Sequence, residues 1–154
     1  MKVTSDRYNY CRENGNKTEQ LFMDRVQKLG LKYRKASETE DMYWHIDCYV
    51  NGHGVDVKGD RYKTTIWLEM QNVRGEDGWL KGRAKYIAMY IVDLDIFSIY
   101  NREDLLKYVE ENVTRHTDSK RPYHMFYSRT KWGKKDIVTK VRYQDIKHLE
   151  LKAI

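Results

Sequence analysis

Two aspartates and a lysine, Asp47, Asp56 and Lys58, flank an Asn-Gly pair in a stretch where apolar and polar residues alternate. Asn-Gly between alternating segments is a strong signal for a β-hairpin with a two-residue turn. With Asn51 and Gly52 in that turn, Asp47 lies opposite Asp56, and Lys58 follows on the same face because side chains alternate along a strand. Like charges directly opposite each other destabilise a sheet, so we expect a cation between them. Mg²⁺ fits this position, since it takes one or two carboxylates and completes its shell with water and phosphate.

The predicted hairpin has one polar face and one apolar face, and a four-residue loop would keep the same faces. The polar face carries His45, Asp47, Tyr49, Gly54, Asp56 and Lys58. The core face carries Trp44, Ile46, Cys48, Val50, Val55 and Val57. The ordinary alternative is a solvated face with a surface salt bridge, which contributes ~0–1 kcal/mol and needs no function. The clean apolar face opposite the two acids favours a central hairpin and a metal site.

Other polar residues are candidates for the same site. Lys58 can orient a metal-bound water and stabilise charge on phosphate. Glu69 or Gln71, one predicted strand further along, could add a ligand or a hydrogen bond, and Glu19 could approach from a helix. Each has a plain alternative, because polar strand residues are common and an acid is favoured in the first turn of a helix. His45 lies on the polar face, but a lone histidine is more often structural.

The elements that must position these residues alternate between helix and strand, which predicts an α/β fold: a single domain with a central mixed β-sheet flanked by helices. We divide the chain into a polar N-terminal arm at residues 1–16 and one domain at residues 17–154. The predicted elements are a helix over 16–29, a short strand over 31–36, a polar loop over 37–42, the hairpin over 43–59, a turn over 60–63, a strand over 64–71, a loop over 72–78, a helical turn within 79–85, strands over 86–93 and 96–100, a helix over 102–113, a hairpin that pairs 123–129 with 137–143, and a short helix or extended end over 145–154.

The constellation resembles the PD-(D/E)XK nuclease superfamily over roughly residues 17–90. The family aspartate corresponds to Asp47, and the acid-x-lysine element corresponds to Asp56-Val57-Lys58. The helical glutamate of the Holliday-junction-resolvase branch corresponds to Glu19, and a glutamine on a later strand corresponds to Gln71. The resemblance implies a restriction-endonuclease-like core that cuts phosphodiesters with Mg²⁺, with Mn²⁺ able to substitute. It also implies that the Val57 carbonyl and Glu69 contribute metal ligands.

Two features depart from the family pattern: no proline precedes Asp47, and the acid before the lysine is Asp56 where glutamate is commoner. The segment Trp-Leu-Glu-Met-Gln-Asn, followed by Gly-Trp-Leu, is also similar to small tailed-phage proteins. The resemblance allows for a homodimer, because one active site cuts one strand.

The charge distribution suggests a polyanionic partner. The net charge is +6, and the segment 114–143 holds nine basic residues against two acidic ones. A basic segment beside a roughly neutral body is typical of nucleic-acid binding, although a solvated lysine-rich surface is the alternative. The candidate phosphate contacts are Arg129, Lys131, Lys134 and Lys135 around Trp132, together with Lys85.

Composition narrows the setting in which the protein acts. No 18-residue apolar run is present, so no membrane span is expected. Two cysteines are too few for a disulfide framework, which favours an intracellular, cytoplasmic protein. The similarity to tailed-phage proteins adds the option of a phage-encoded protein that acts in a bacterial host.

We therefore predict a Mg²⁺-dependent nuclease that hydrolyses DNA, with endonucleolytic cutting favoured. A non-catalytic nucleic-acid-binding protein with a nuclease-like fold, and an RNA-directed nuclease, remain open, because DNA and RNA present the same phosphates.

Overall fold

Strands and helices alternate along the chain, as the computed structural model shows for residues 2–62, 64–113, 115–116, 121–125, 130–131 and 134–154. The strands are β1 (Tyr33–Lys35), β2 (Cys48–Val50), β3 (His53–Tyr62), β4 (Thr65–Gln71), β5 (Tyr86–Ile91), β6 (Ile96–Asn101), β7 (Arg115–His116), β8 (His124–Met125), β9 (Thr130–Lys131), β10 (Lys134–Lys135), β11 (Ile137–Arg142) and β12 (Glu150–Ala153). The α-helices are α1 (Lys2–Lys28), α2 (Glu38–Trp44), α3 (Arg102–Asn112) and α4 (Tyr143–Ile146), and 3₁₀ turns occupy Trp79–Lys81, Val92–Leu94 and Lys147–Leu149.

A six-stranded mixed sheet lies at the centre, in the order β1-β2-β3-β5-β6-β12. β3 and β5 are parallel, and the other neighbours in this sheet are antiparallel. The predicted mixed α/β fold is therefore confirmed. Within the described residues, no helix is long and apolar enough to cross a membrane.

Apolar side chains fill both sides of this sheet. On one side, Phe22 and Val26 of α1 pack against Cys48, Val55, Val57, Ala88 and Phe97. On the other, the side chains of β4, β5 and α3 form a larger cluster that includes Ile66, Leu68, Ile87, Met89, Leu105 and Val109. The hairpin is thus central, as the sequence predicted, and the second core covers its polar face only in part: Asp56 is buried, whereas Lys58 keeps 26% of its side chain exposed.

Strand β4 lies outside the central sheet, which corrects the expectation that it neighbours the hairpin. It pairs antiparallel with β11, and Lys140 lies opposite Trp67. The predicted pairing of 123–129 with 137–143 is tested only in part: Tyr123 N–H donates to Lys140 O over 2.8 Å, and 126–129 lie outside the described residues. Local sequence patterns cannot reveal that β4 pairs with β11, because most of the C-terminal half of the chain separates the two strands.

The basic C-terminal segment forms short ladders. β7 pairs with β8, and β9 pairs with β10 with Lys131 opposite Lys134. Arg129 and Trp132 lie outside the described residues, and only the backbones of Lys131, Lys134 and Lys135 are described.

Helix α1 begins at Lys2, so the residues predicted to be a loose arm form its first turns. The segment lacks proline, and its one glycine, Gly15, is tolerated inside a helix. Arg25 near the helix end pairs with Asp95 at 2.5 Å and donates to Ile154 O over 3.0 Å.

Residues 38–44 form helix α2 where a polar loop was predicted. The Ser37 side chain accepts from Glu40 N–H, and the Glu40 carboxylate accepts from Ser37 N–H, which is a complete capping box. The Ser-x-x-Glu pattern was the available signal, and the polar composition of the segment concealed it.

Strand β3 continues to Tyr62, so the turn predicted over 60–63 is wrong. The register with β5 shifts between Lys58 and Tyr62, and Gly59 has a φ of 91°. A bulge with a glycine in the left-handed region therefore carries the strand through the residues that resembled a turn.

Candidate active site

The hairpin that carries the two aspartates has the predicted two-residue turn. Val50 lies opposite His53, and Cys48 lies opposite Val55. Asn51 and Gly52 have φ values of 48° and 81°, the left-handed conformation that this kind of turn requires. The regular ladder ends at this pair, because Asp47 N–H donates over 2.9 Å to the carbonyl of Val55, the residue that already lies opposite Cys48.

The alternation of faces ends at the start of β2, which corrects one prediction. His45 has φ 54° and ψ 49° as the C-cap of α2. Ile46 then packs on Gly54, where an added Cβ would lie 3.1 Å from Ile46 Cδ1. Ile46 therefore lies in the same core as Leu68. The alternating pattern predicts instead that Ile46 shares a face with Cys48, which lies in the other core.

Asp56 is the most buried acid of the group, with 1% of its side chain exposed. Its Oδ1 lies 2.8 Å from Lys58 Nζ, and its Oδ2 is buried without a hydrogen-bond partner. Burial raises the pKa of Asp56, and the Lys58 ammonium opposes that rise. The site thus contains a carboxylate oxygen that has been removed from water and that Lys58 only partly compensates.

Asp47 lies near Asp56, although the regular ladder does not extend to the directly opposite pairing that the sequence predicted. Its Oδ2 accepts from Val57 N–H over 2.7 Å, which fixes the carboxyl against β3. Burial and then the charge of Asp56 raise the pKa of Asp47 to about 7, against the lowering effect of Lys58. The pKa values of both carboxyls are raised, so the two acids form one electrostatically coupled pair.

Glu19 reaches this pair from α1, as the sequence suggested. Burial, followed by the charges of Asp47 and Asp41, raises the pKa of Glu19 to about 7. Lys35 and Lys58 act in the opposite direction. The helical glutamate is therefore part of the same electrostatic cluster as the hairpin acids.

Asp41 of α2 is a site residue that the sequence prediction missed. It hydrogen-bonds to Asp47, and its pKa is raised by partial burial, by the Asp47 charge and by that hydrogen bond. Since Ser37 starts α2, the capping box determines where Asp41 lies.

Glu69 approaches the cluster from β4, although that strand is outside the central sheet. Burial raises its pKa, while Lys58 and the Trp79 backbone N–H, which donates to its carboxylate, lower it. The approach depends on Gly78, where an added Cβ would lie 2.6 Å from the Glu69 carbonyl oxygen. Gln71 lies at the end of β4, where it bridges to Asp77, and its role stays a prediction.

Two further candidates have local structural contacts. Lys85 is exposed, and its Nζ lies 5.3 Å from the centre of the Tyr86 ring. His45 caps α2, and its Nε2 is 3.3 Å from Asp77 O, which is a structural position.

The donor set fits a hard divalent cation. Within the described ranges, no group of three or more His, Cys, Asp or Glu residues is arranged to hold a metal ion together. Two adjacent carboxylates, one with a buried oxygen that lacks a partner, nevertheless offer what Mg²⁺ requires from a protein when water and phosphate supply the rest. The predicted ligand role of the Val57 carbonyl remains a prediction.

Comparisons with known proteins give one structural similarity. No family model matches the chain, and no curated protein matches it. Among solved structures, a bacterial homing endonuclease, I-Ssp6803I, is similar with 18% sequence identity and a TM-score of 0.42, over 62% of this chain and 67% of that one.

Proposed function

We propose that this protein is a divalent-metal-dependent nuclease that hydrolyses phosphodiester bonds of DNA. The observation that supports it best is the meeting of Asp47, Asp56 and Lys58 on one hairpin, with Lys58 Nζ 2.8 Å from Asp56. The proposal takes Mg²⁺ as the cofactor, and Mn²⁺ should substitute because it also accepts oxygen ligands.

The residues would divide the work according to their positions. Asp47 and Asp56 would hold the cation, with the Val57 carbonyl and Glu69 as further oxygen donors. When bound, the cation would polarise the scissile phosphate and lower the pKa of a bound water. Lys58 would orient the attacking water and offset the charge that develops on the phosphate.

Glu19 and Asp41 would act on the hydration of the same centre. The charge of Asp47 raises the pKa of Glu19 and that of Asp41, so both carboxyls belong to the same electrostatic cluster. They would accept hydrogen bonds from ordered water and so fix its direction. Gln71, at the end of β4, would keep the role that the resemblance implies, as a polar contact of the same centre.

The direct test is cleavage of a labelled panel: linear duplex, supercoiled plasmid, single-stranded DNA, a four-way junction and RNA. Each substrate is incubated with Mg²⁺, Mn²⁺ or EDTA, beside Asp56→Asn. We expect metal-dependent cutting that is lost in the variant. Preferential cutting of RNA would change the substrate class. Salt-sensitive binding that EDTA does not alter, with no cutting, would replace the proposal by a non-catalytic binding protein.

The oligomeric state follows from the same panel. If the active form is a homodimer, the rate of double-strand cleavage will rise more steeply than linearly with protein concentration, whereas nicking by a monomer will be linear.

A further inference from the structure

We infer that the outer edge of β1 docks the sugar–phosphate backbone of the nucleic acid beside the proposed catalytic centre. The choice of ligand rests on the proposed function, and the position rests on the geometry of β1. This surface is distinct from the basic C-terminal segment, and consists of Lys32, Arg34 and Lys35.

Strand β1 is an edge of the central sheet, and it ends at the catalytic cluster. Lys35 lies opposite Cys48, and Ala36 N–H donates to Asp47 O over 3.0 Å. A strand of nucleic acid lying along this edge would therefore reach Asp47 without leaving the surface of the protein.

Arg34 is held in place while most of its side chain stays open to solvent. Its guanidinium carbon lies 4.1 Å from the centre of the Tyr49 ring, and its Nη1 lies 3.6 Å from Glu40 Oε1. Tyr49 in turn donates a hydrogen bond to Glu40. The Arg34 side chain is nevertheless 63% exposed. A planar group stacked in this way keeps outward N–H donors for phosphate at a reduced entropic cost.

The surface around Arg34 is concave. A depression of about 540 Å³ is lined by Lys32, Tyr33, Arg34, Tyr49 and Gly52. Tyr49 provides an aromatic face and the two cations provide charge, which is the combination found in grooves that follow a nucleic-acid strand.

The backbone of β1 adds donors to this edge. Ala36 N–H and Lys32 N–H both point inward, to Asp47 O and Asn51 Oδ1 respectively. Because backbone groups alternate in direction along a strand, the N–H groups of Tyr33 and Lys35 point away from β2. Lysines on an edge strand disfavour pairing with another strand, so the charges favour a phosphate backbone over a second copy of the chain.

The test measures binding by the full chain in EDTA, so that cutting does not interfere. Fluorescence anisotropy follows a labelled duplex and a labelled single strand across a salt series, for the parent, Lys32→Ala, Arg34→Ala and the double variant. Lys152→Ala is the matched control, because Lys152 is an exposed lysine on β12, the opposite edge of the same sheet. Lys32→Ala tests the surface even if Arg34→Ala loosens the contact with Tyr49, and thermal unfolding shows whether each variant is folded.

We expect several-fold weaker binding for each single variant. In the double variant, the slope of log K against log salt on duplex should be shallower by about 2, since each phosphate contact contributes ~0.9. Lys152→Ala should match the parent. In metal-supplemented cleavage the variants should raise KM and leave kcat nearly unchanged.

Two outcomes separate this inference from the proposed function. If the parent protein cuts DNA and the β1 variants bind with the same slope of log K against log salt as the parent, the docking surface is overturned and the proposed nuclease activity stands. If the parent binds but does not cut, and the slope of log K against log salt is shallower in the β1 variants, the docking surface is supported and the proposed nuclease activity is overturned. Absence of nucleic-acid binding by the parent, or an equal effect of Lys152→Ala, would also overturn the inference.

Discussion

The ammonium of Lys58 lies 2.8 Å from one oxygen of Asp56, while the other oxygen of that carboxylate is buried without a hydrogen-bond partner. Asp47 adds a second carboxyl on the opposite strand. Charges in this arrangement are costly in the metal-free protein, because the acid is buried and its compensation is incomplete. Under the proposed function, a bound divalent cation would offset the charges of the two acids.

Opposite effects on stability should follow from changing the two partners. Asp56→Asn removes a buried charge, so at pH 8 in EDTA we expect the free energy of unfolding to rise by about 1 kcal/mol. Lys58→Met leaves the buried carboxylate without its cation and should lower that free energy by about 3 kcal/mol. Urea unfolding measures both. Two changes of the same sign would contradict this electrostatic account of the pair.

The metal-free protein should become more stable as the pH falls from 8 toward 5. The folded-state pKa values of Asp47 and Glu19 are raised to about 7 from the ordinary values of 3.8 and 4.5 for these side chains. Between those values the folded state binds more protons than the unfolded state, so lowering the pH favours folding. Urea titrations from pH 4.5 to 8 in EDTA check this.

The matched variant for the pH series is Asp47→Asn, which should flatten the profile. Millimolar Mg²⁺ should also reduce the difference between pH 5 and pH 8, because it binds the deprotonated acids. If the free energy of unfolding instead rises with pH across this window in EDTA, the folded-state pKa values of Asp47 and Glu19 are not raised.

The capping box of α2 should affect activity, whereas an equivalent cap elsewhere should not. Ser37→Ala removes a cap worth about 1 kcal/mol and loosens the turn that carries Asp41. Asn101 caps α3, and its side chain accepts hydrogen bonds from the backbone N–H groups of Glu103 and Asp104. Asn101→Ala removes this cap. We expect similar losses of stability but a several-fold lower cleavage rate for Ser37→Ala alone. Equal cleavage rates in Ser37→Ala and Asn101→Ala would show that the position of Asp41 does not affect activity.

Gly78 should be intolerant of a side chain, because of its closeness to Glu69. An added Cβ would lie 2.6 Å from the Glu69 carbonyl oxygen and 2.8 Å from its Cγ. Gly78→Ala should therefore lower stability by about 1–3 kcal/mol and shift Glu69 away from Lys58.

The control for Gly78→Ala is Gly15→Ala in α1, where a Cβ would meet nothing within 4 Å. That change should stabilise the helix by up to about 1 kcal/mol. Thermal unfolding of both variants gives the comparison, and a neutral Gly78→Ala would show that β4 can move to accommodate it.

Local signals in the sequence predicted the hairpin and its turn correctly, since Asn51 and Gly52 determine the register on their own. The strand predicted over 64–71 is likewise present as β4, and burial alternates along it. Its pairing with β11 was not predicted, because a ladder between distant strands depends on tertiary packing that no local pattern encodes.

The composition of the site shows the same division. Asp47, Asp56 and Lys58 were selected because one hairpin holds them, and Glu19 because it is an acid on the predicted helix that corresponds to the helical glutamate of the resemblance. Asp41 was missed because the polar composition of its segment suggested a loop and concealed the capping box at Ser37. The complete burial of Asp56 could not be predicted either, because it depends on the second core that covers its face of the sheet.

The measurement that tests the central claim most directly is single-turnover cleavage of labelled DNA by the parent and by Lys58→Met, across a Mg²⁺ titration. Lys107→Ala, which removes an exposed lysine paired with Glu111 on α3, serves as the control. We expect metal-dependent cutting by the parent and the control, and a rate at least 100-fold lower in Lys58→Met while DNA binding persists. Cleavage by Lys58→Met at the parent's rate would contradict the assignment of this hairpin as the catalytic centre.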